Sequence, residues 1–303
     1  MSDFLHIKTI SELHKAFGYQ KPNHPLITVI DLSDVEISDA FLHQKIGTPF
    51  YNITLKTKTA LLFKYGREYF DFDEGFLFGL SPNQIIEIDE TAKKGDMEGW
   101  SIYFHPDLIR PYALAEKITD YGFFSYETNE ALHISDKEKE ILNSIVSKIK
   151  EENNGQIDEF SQDVFVSNIE LLLNYIKRFY SRQFITRKSQ NTTVLSQFKK
   201  HIKHYFETES LISKGLPTVH YFAQKLNVSD SYLSDLLKKE TGKNTQDHIH
   251  SFVIDKAKNR LINTDVTISE IAFELGFEYP QYFSRLFKNK TGVSPKMFRN
   301  RMN

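Results

Sequence analysis

Residues 218–292 contain the same pattern twice. Thr218, Ala223 and Leu226 recur 49 positions later as Thr267, Ala272 and Leu275. After a one-residue insertion, Tyr232, Ser234, Leu236, Lys238, Thr241 and Gly242 recur 50 positions later as Tyr282, Ser284, Leu286, Lys288, Thr291 and Gly292. A period of this size is one supersecondary unit used twice, and it restricts the last third of the chain to a duplicated architecture.

Each copy reads as a short helix (VHYFAQKL, ISEIAFEL), a tight turn (NVSD, GFEYP), and a second helix (SYLSDLLKKETG, QYFSRLFKNKTG). That is the plan of a helix-turn-helix, whose second helix enters the DNA major groove. Spacing says which face is inside. Phe283, Leu286 and Phe287 at i, i+3 and i+4 form an apolar stripe. Gln281, Ser284, Arg285 and Lys288 form the opposite one, without an acid. In the first copy Leu233, Leu236 and Leu237 face inward, and Ser231, Ser234, Asp235 and Lys238 outward. Arg285 suits a bidentate pair with guanine and Gln281 one with adenine. Lys238, Lys239, Lys288 and Lys290 suit phosphates, which position without reading sequence. Asp235 fits less simply: it would accept from cytosine N4, orient Lys238 or Lys239, or mark a copy that sits less deeply. Base readout is therefore expected mainly from the second copy. Between the copies, Thr245 to Asn263 has Ile249, Phe252, Val253, Ala257 and Leu261 on one helical face. A helix of that length spans about 28 Å, enough to hold two recognition helices roughly one DNA turn apart.

The charge is divided to match. From Arg187 onward there are 19 Lys or Arg against 11 Asp or Glu, and before it 19 against 29. A basic module follows an acidic partner, which the overall net charge of -2 conceals.

The acidic part begins with strands. Leu26–Ile30 is a short apolar run; Tyr51, Ile53 and Leu55 alternate with Asn52, Thr54 and Lys56, and Trp100, Ile102 and Phe104 with Ser101 and Tyr103. Frequent glycines between short apolar segments predict an antiparallel barrel or sandwich. Its rings (Tyr51, Phe63, Tyr65, Tyr69, Phe70, Phe72, Phe76, Phe78, Trp100, Phe104) are expected mostly in the core; where some line a cavity, a small apolar or sugar-like ligand would suit them. Helices follow. Ser135 and Glu138 form a capping box, and Ile141, Leu142, Ile145, Val146 and Ile149 keep helical spacing up to Gly155. From about Asp158 to Tyr180 apolar residues spread around most of a second helix, more than one domain surface covers. The excess flank would pack on the preceding helix or on a second copy. Leu172, Ile176 and Phe179 are the expected dimerisation residues. The polar run RQFITRKSQNTT then reads as a linker.

With these elements in place, IAFELGFEYPQYFSRLFKNKTGVSPKMFR resembles the signature of the AraC/XylS transcription regulators, and the resemblance covers about Thr193 to Asn303. It implies a seven-helix DNA-binding domain with two helix-turn-helix units joined by a long helix. By position, the family's base-contacting residues fall on Ser231, Ser234 and Asp235, and on Gln281, Tyr282, Ser284 and Arg285. Asp235 and Pro280 depart from common family residues. Upstream, segments such as GWSIYFHPDL and RFYSRQFITR are similar to members with a cupin-like sensor barrel and a helical dimerisation segment. The expected organisation is α+β and multidomain: an antiparallel, cupin-like β-barrel over 1–130, a helical dimerisation segment over 131–183, a linker over 184–193, and an all-α AraC-type domain over 194–303, with helix-turn-helix units at about 217–241 and 267–291.

Other chemistry is poorly supplied. There is no cysteine, so disulfides, thiolate metal sites and cysteine nucleophiles are out. The six histidines of the first half lack ligand spacing, and His201, His204 and Glu207 read as a solvated helix stripe. Neither a phosphate-cradling glycine loop nor a nucleophile elbow is found. The amino end, MSDFLHIK, carries acid where a signal peptide carries base, and no apolar run reaches membrane-spanning length. The expected protein is thus a cytoplasmic, dimeric, non-enzymatic regulator without cofactor or metal. Its partners would be double-stranded promoter DNA, a second copy, RNA polymerase if it activates, and a small-molecule effector whose binding residues stay unassigned. The alternatives are a regulator whose barrel serves only as an interaction platform and, more remotely, a metal-dependent cupin enzyme fused to a DNA-binding module.

Overall fold

A computed structural model describes residues 4–37, 44–59, 64–65, 68–69, 75–87, 95–126, 130–186, 188–208 and 211–302. The chain divides into two units, Met1–Thr186 and Arg187–Asn303.

The strands of the first unit are β1 Phe4–His6, β2 Ile27–Asp31, β3 Lys45–Gly47, β4 Tyr51–Thr59, β5 Lys64–Tyr65, β6 Glu68–Tyr69, β7 Phe76–Leu80, β8 Ile85–Glu87, β9 Met97–Phe104 and β10 Leu132–His133. Five form an antiparallel sheet in the order β10-β7-β4-β9-β2. A three-stranded sheet, β1-β3-β8, pairs β1 and β3 in parallel. Among the described residues no ladder joins these two sheets, so the expected closed barrel is not seen; two sheets share a core of Ile7, Leu13, Ile30, Leu32, Val35, Ile46 and Met97. The helix α1 Ile10–Ala16, capped by Thr9, contributes Leu13 to that core.

The alternation in β4 and β9 does not separate a core face from a solvent face. Ile53, Leu55, Ile102 and Phe104 are buried, and so are Asn52, Thr54, Lys56 and Ser101 on the other face. The polar face supplies its own hydrogen bonds, as a buried polar surface must. Asn52 Nδ2 donates to Ser101 Oγ (2.7 Å) and to the Ile102 carbonyl (3.2 Å), and Thr54 Oγ1 donates to Asn52 Oδ1 (3.0 Å). His14 reaches across from α1 to Thr28 on β2 (2.8 Å). Phe76, Trp100 and Phe104 are core residues, and Tyr51 stacks on Phe104. Phe63, Phe70 and Phe72 lie outside the described residues.

Two short helices, α2 Pro106–Ile109 and α3 Leu114–Lys117, lead to α4 Asp136–Asn154 and α5 Ser161–Thr186. The Ser135–Glu138 capping box starts α4 as the sequence predicts. Both long helices bond to the five-stranded sheet or its flank: Trp100 Nε1 donates to Asn143 (2.8 Å), and Tyr180 donates to the Leu77 carbonyl (3.4 Å). Leu172, Ile176 and Phe179 are buried within the unit, so the intrachain alternative holds at these three positions and they offer no surface to a second copy. Among the described side chains of α5, Val164 and Leu171 are the large apolar ones left exposed.

The polar run 184–193 is not an extended linker in its described residues: 184–186 end α5, and 188–193 begin α6 Lys188–Thr208. Helix α5 continues because its polar residues have partners. Arg182 donates to Glu138 and to the His133 carbonyl, while Gln183 bonds the Ala131 carbonyl and the His133 N–H.

The second unit is helical: α6, α7 Leu211–Lys214, α8 Val219–Leu226, α9 Asp230–Thr241, α10 Thr245–Asn263, α11 Ile268–Glu274, α12 Pro280–Thr291 and α13 Pro295–Met302. The single-turn α7 makes the described count eight where the resemblance implied seven. One core, including Phe198, Ile202, Phe222, Leu233, Leu237, Ile249, Val253, Leu261, Phe283 and Phe287, joins both repeats to α10.

Candidate nucleic-acid interface

The two copies are built by the same local rules. Thr218 caps α8 by accepting from the Tyr221 N–H, and Thr267 caps α11 within a Thr267–Glu270 capping box. The second helices α9 and α12 both end on a left-handed glycine, Gly242 (φ 75°) and Gly292 (φ 80°), whose N–H returns to the carbonyl of Lys238 or Lys288. They start differently. Ser229 caps α9 by accepting from the Tyr232 N–H, whereas α12 starts on Pro280, whose missing N–H costs nothing in the first turn.

The inner faces are those the spacing predicts. Leu233, Leu236, Leu237, Phe283 and Phe287 are buried, and Leu286 is half-buried against the same core. The Phe283 and Phe287 rings meet at 5.8 Å, and Phe287 meets Phe298 of α13 edge-on at 5.4 Å. On the outer face of α12, Gln281, Tyr282, Arg285 and Lys288 are exposed and Ser284 is half-buried. Helix α9 presents less: Ser231, Ser234 and Asp235 are half-buried, and Ser234 Oγ lies 3.1 Å from Thr245 Oγ1 of α10. Lys238 and Lys239 are exposed at its end.

The repeat conceals one asymmetry. Tyr232 and Tyr282 occupy equivalent positions, yet Tyr232 is 7% exposed and Tyr282 58%. Tyr282 stands edge-on to Tyr279 at 5.7 Å, and Tyr279 is also exposed. Sequence reasoning passed over Tyr279; the signal available was an aromatic directly before the proline that opens the helix. Lys290 also departs from expectation. Its Nζ lies 2.7 Å from Asp247 Oδ1, tying the end of α12 to the start of α10, and this bond holds the Asp247 carboxyl below its usual range. Lys290 therefore has a carboxylate partner in place of an open approach to phosphate.

Further contacts set the two copies relative to one another. Arg260 of α10 grips Glu274 of α11 with two hydrogen bonds to Oε2 (2.8 and 2.6 Å). Arg299 of α13 donates to the Leu261 and Val266 carbonyls, satisfying backbone acceptors at and beyond the end of α10. Gly276, in the turn of the second copy, sits against the backbone of Gly215.

The described residues thus bring together, on the short helix α12, an amide, a guanidinium and an ammonium directed outward, with α9 and its terminal lysines held on the same core. Residues 222–301 match the family model described as "Helix-turn-helix domain". The chain is 29% identical over 160 residues to the uncharacterized HTH-type transcriptional regulator YobQ of Bacillus subtilis, covering 50% of this chain and 63% of YobQ. It is 31% identical over 81 residues to the HTH-type transcriptional activator RhaR of Cronobacter sakazakii, covering 27% of this chain and 29% of RhaR. Among solved structures, the C-terminal domain of the two-component response regulator yesN from Fusobacterium nucleatum is 34% identical, with 33% of this chain and 96% of that one covered and a TM-score of 0.30. The chain spans less than two thirds of the length of these curated relatives. Residues 222–301 are thus a helix-turn-helix domain of the AraC type, shared with these HTH-type transcriptional regulators.

Proposed function

We propose that the protein is a sequence-specific, DNA-binding transcription regulator, non-enzymatic and cytoplasmic, that presents α9 and α12 to successive major grooves of promoter DNA. The observation that carries this reading is the outer face of α12. Gln281 and Arg285 stand exposed one turn apart on a helix whose opposite side is pinned by two buried phenylalanines. A base-reading side chain needs this fixed footing, because a loosely held helix loses the bidentate geometry that discriminates bases. Arg285, Gln281, Ser284 and Tyr282 read bases in the second copy; Ser231, Ser234 and Asp235 contribute less from their half-buried positions. Lys238, Lys239 and Lys288 meet phosphates, and Lys290 joins them by releasing Asp247. If the protein activates, RNA polymerase is a further partner.

The amino-terminal unit serves as the sensor. A small molecule bound there biases the presentation of the DNA-binding domains, which requires different affinities for two arrangements and a coupling of about 1 to 3 kcal/mol. A second copy docks along the exposed flank of α5, where Val164, Leu171 and Tyr175 share one stripe.

The test is a pair of variants against DNA selected from random fragments. Arg285→Ala is expected to weaken selected sites far more than random DNA; Lys288→Ala weakens both and lowers the salt slope by about one unit. Unchanged site preference in Arg285→Ala would refute the assignment of the reading face.

A further inference from the structure

Helix α12 opens on a residue that gives it no cap. Tyr279 holds the N-cap position, where Ser, Thr, Asp or Asn would bond a free N–H of the first turn and stabilise the helix. Its side chain makes no such bond, whereas Ser229 at the start of α9 does. The ring is not spent on the core either: it is 46% exposed, and Tyr282, one turn on, is 58% exposed. Two neighbouring rings left in water are apolar surface that the fold does not use.

Their placement is fixed. Pro280 restricts the residue before it to extended backbone, and Tyr279 sits there at φ −128° and ψ 121°. Its carbonyl accepts from the Tyr282 N–H (3.1 Å), and the two rings stand edge-on, 5.7 Å apart with 86° between their planes. Rings at right angles make an apolar corner, not a flat plate. Exposed Gln281 lies between them in sequence, and exposed Arg285 follows one turn beyond Tyr282. The corner therefore belongs to the amino-terminal end of α12, the end that a recognition helix brings to the base edges.

The major groove offers such a corner little to bind. Its code consists of hydrogen-bond donors and acceptors, and the C5-methyl of thymine is the one apolar feature in it. Thymine also pairs with adenine, the base that the Gln281 amide suits. A tyrosine hydroxyl donating to phosphate would act on every sequence alike. Ring and hydroxyl thus make different demands on the DNA.

We propose that Tyr279 joins Tyr282 as a specificity-determining residue, the two rings seating the C5-methyl of a thymine in or beside the A·T pair read by Gln281. The proposal rests on the DNA reading of α12 and adds the base feature that its first turn selects.

The test uses the full chain and a duplex selected from random fragments. The duplex is resynthesised with deoxyuridine in place of one thymine at a time, which removes a methyl and alters no hydrogen-bonding group. Fluorescence anisotropy is expected to show about fourfold weaker binding at such a position, the effect of leaving one methyl unburied. Tyr279→Phe should keep this loss, and Tyr279→Ala should bind the thymine and deoxyuridine duplexes alike. Three results each overturn the proposal: no deoxyuridine duplex binds more weakly, the thymine preferences are unchanged in Tyr279→Ala, or Tyr279→Phe abolishes them as Tyr279→Ala does, which would assign the effect to the hydroxyl. Tyr279 is exposed, so its replacement spares the core, and the deoxyuridine series on the wild type needs no variant at all. If no duplex is selected over random fragments, the DNA reading falls and the proposal with it; if one is selected and no thymine matters, the proposal alone falls.

Discussion

A Cβ on Gly276 would lie 2.9 Å from the carbonyl carbon of Gly215, so the turn of the second helix-turn-helix unit is seated backbone to backbone on the chain just ahead of the first. No side chain mediates this contact, and none fits. Gly276 is also at φ +85°, where a side chain is strained even in open space. Gly292 shares the positive φ but has nothing within 4 Å of its Cβ position. Gly292→Ala is expected to cost about 1 kcal/mol, from backbone strain alone, and Gly276→Ala about 3 kcal/mol or more, because backbone must also move. Denaturant titration of the two variants measures the difference, and similar losses would mean that the glycine contact does not fix the two units.

Arg182 and Glu138 make the corresponding lock in the amino-terminal unit. Arg182 Nε donates to Glu138 Oε1 (2.7 Å), and Nη2 donates both to Glu138 Oε2 (3.0 Å) and to the His133 carbonyl (2.9 Å). Among the described residues, removing the guanidinium leaves a nearly buried carboxylate with Ser135 as its remaining side-chain hydrogen-bond donor. Arg182→Ala should cost about 2 kcal/mol, discounted from the fully buried case because the guanidinium is partly solvated. Arg182→Lys should recover little, since one ammonium cannot span a carboxylate and a carbonyl. Equilibrium unfolding decides, with Glu138→Gln expected to offset part of the loss.

Lys56 gives a dependence on pH. Burial in β4 pushes its ammonium down to about 7, from 10.5. Between these values the unfolded chain holds more protons than the folded one, so stability rises with pH through that window and is lowest below pH 7. Lys56→Met is expected to remove this slope and to stabilise the protein at pH 6 by a few kcal/mol. Thermal melts from pH 6 to pH 10 test it, and a wild-type slope that persists in the variant would assign the dependence to other groups.

Helix α5 distinguishes packing from association. Leu172→Asp places a charge in the core and should unfold the amino-terminal unit, whereas Leu171→Asp with Val164→Asp alters only exposed positions. The double variant is expected to keep its melting temperature and to sediment as a monomer, and the wild type is expected to sediment as a dimer. Equal sedimentation of both would remove the proposed interface.

The local code of this chain was readable without its structure. The repeat, the Ser135–Glu138 box, the span of α10 from Thr245 to Asn263, and the inward sides of α9 and α12 follow from spacing and capping chemistry, which act within a few residues. Tertiary structure decided what each face met. Asn52, Thr54 and Ser101 are polar and buried because α1 and a small sheet, drawn from distant segments, cover them, and their mutual hydrogen bonds permit it. Leu172, Ile176 and Phe179 point into the core while Leu171, their neighbour, does not. Tyr232 and Tyr282 share a repeat position and differ in exposure because their surroundings are not repeated. Periodicity records which side of an element is apolar; whether that side, or the other, is covered depends on chain segments brought near only when the domain closes.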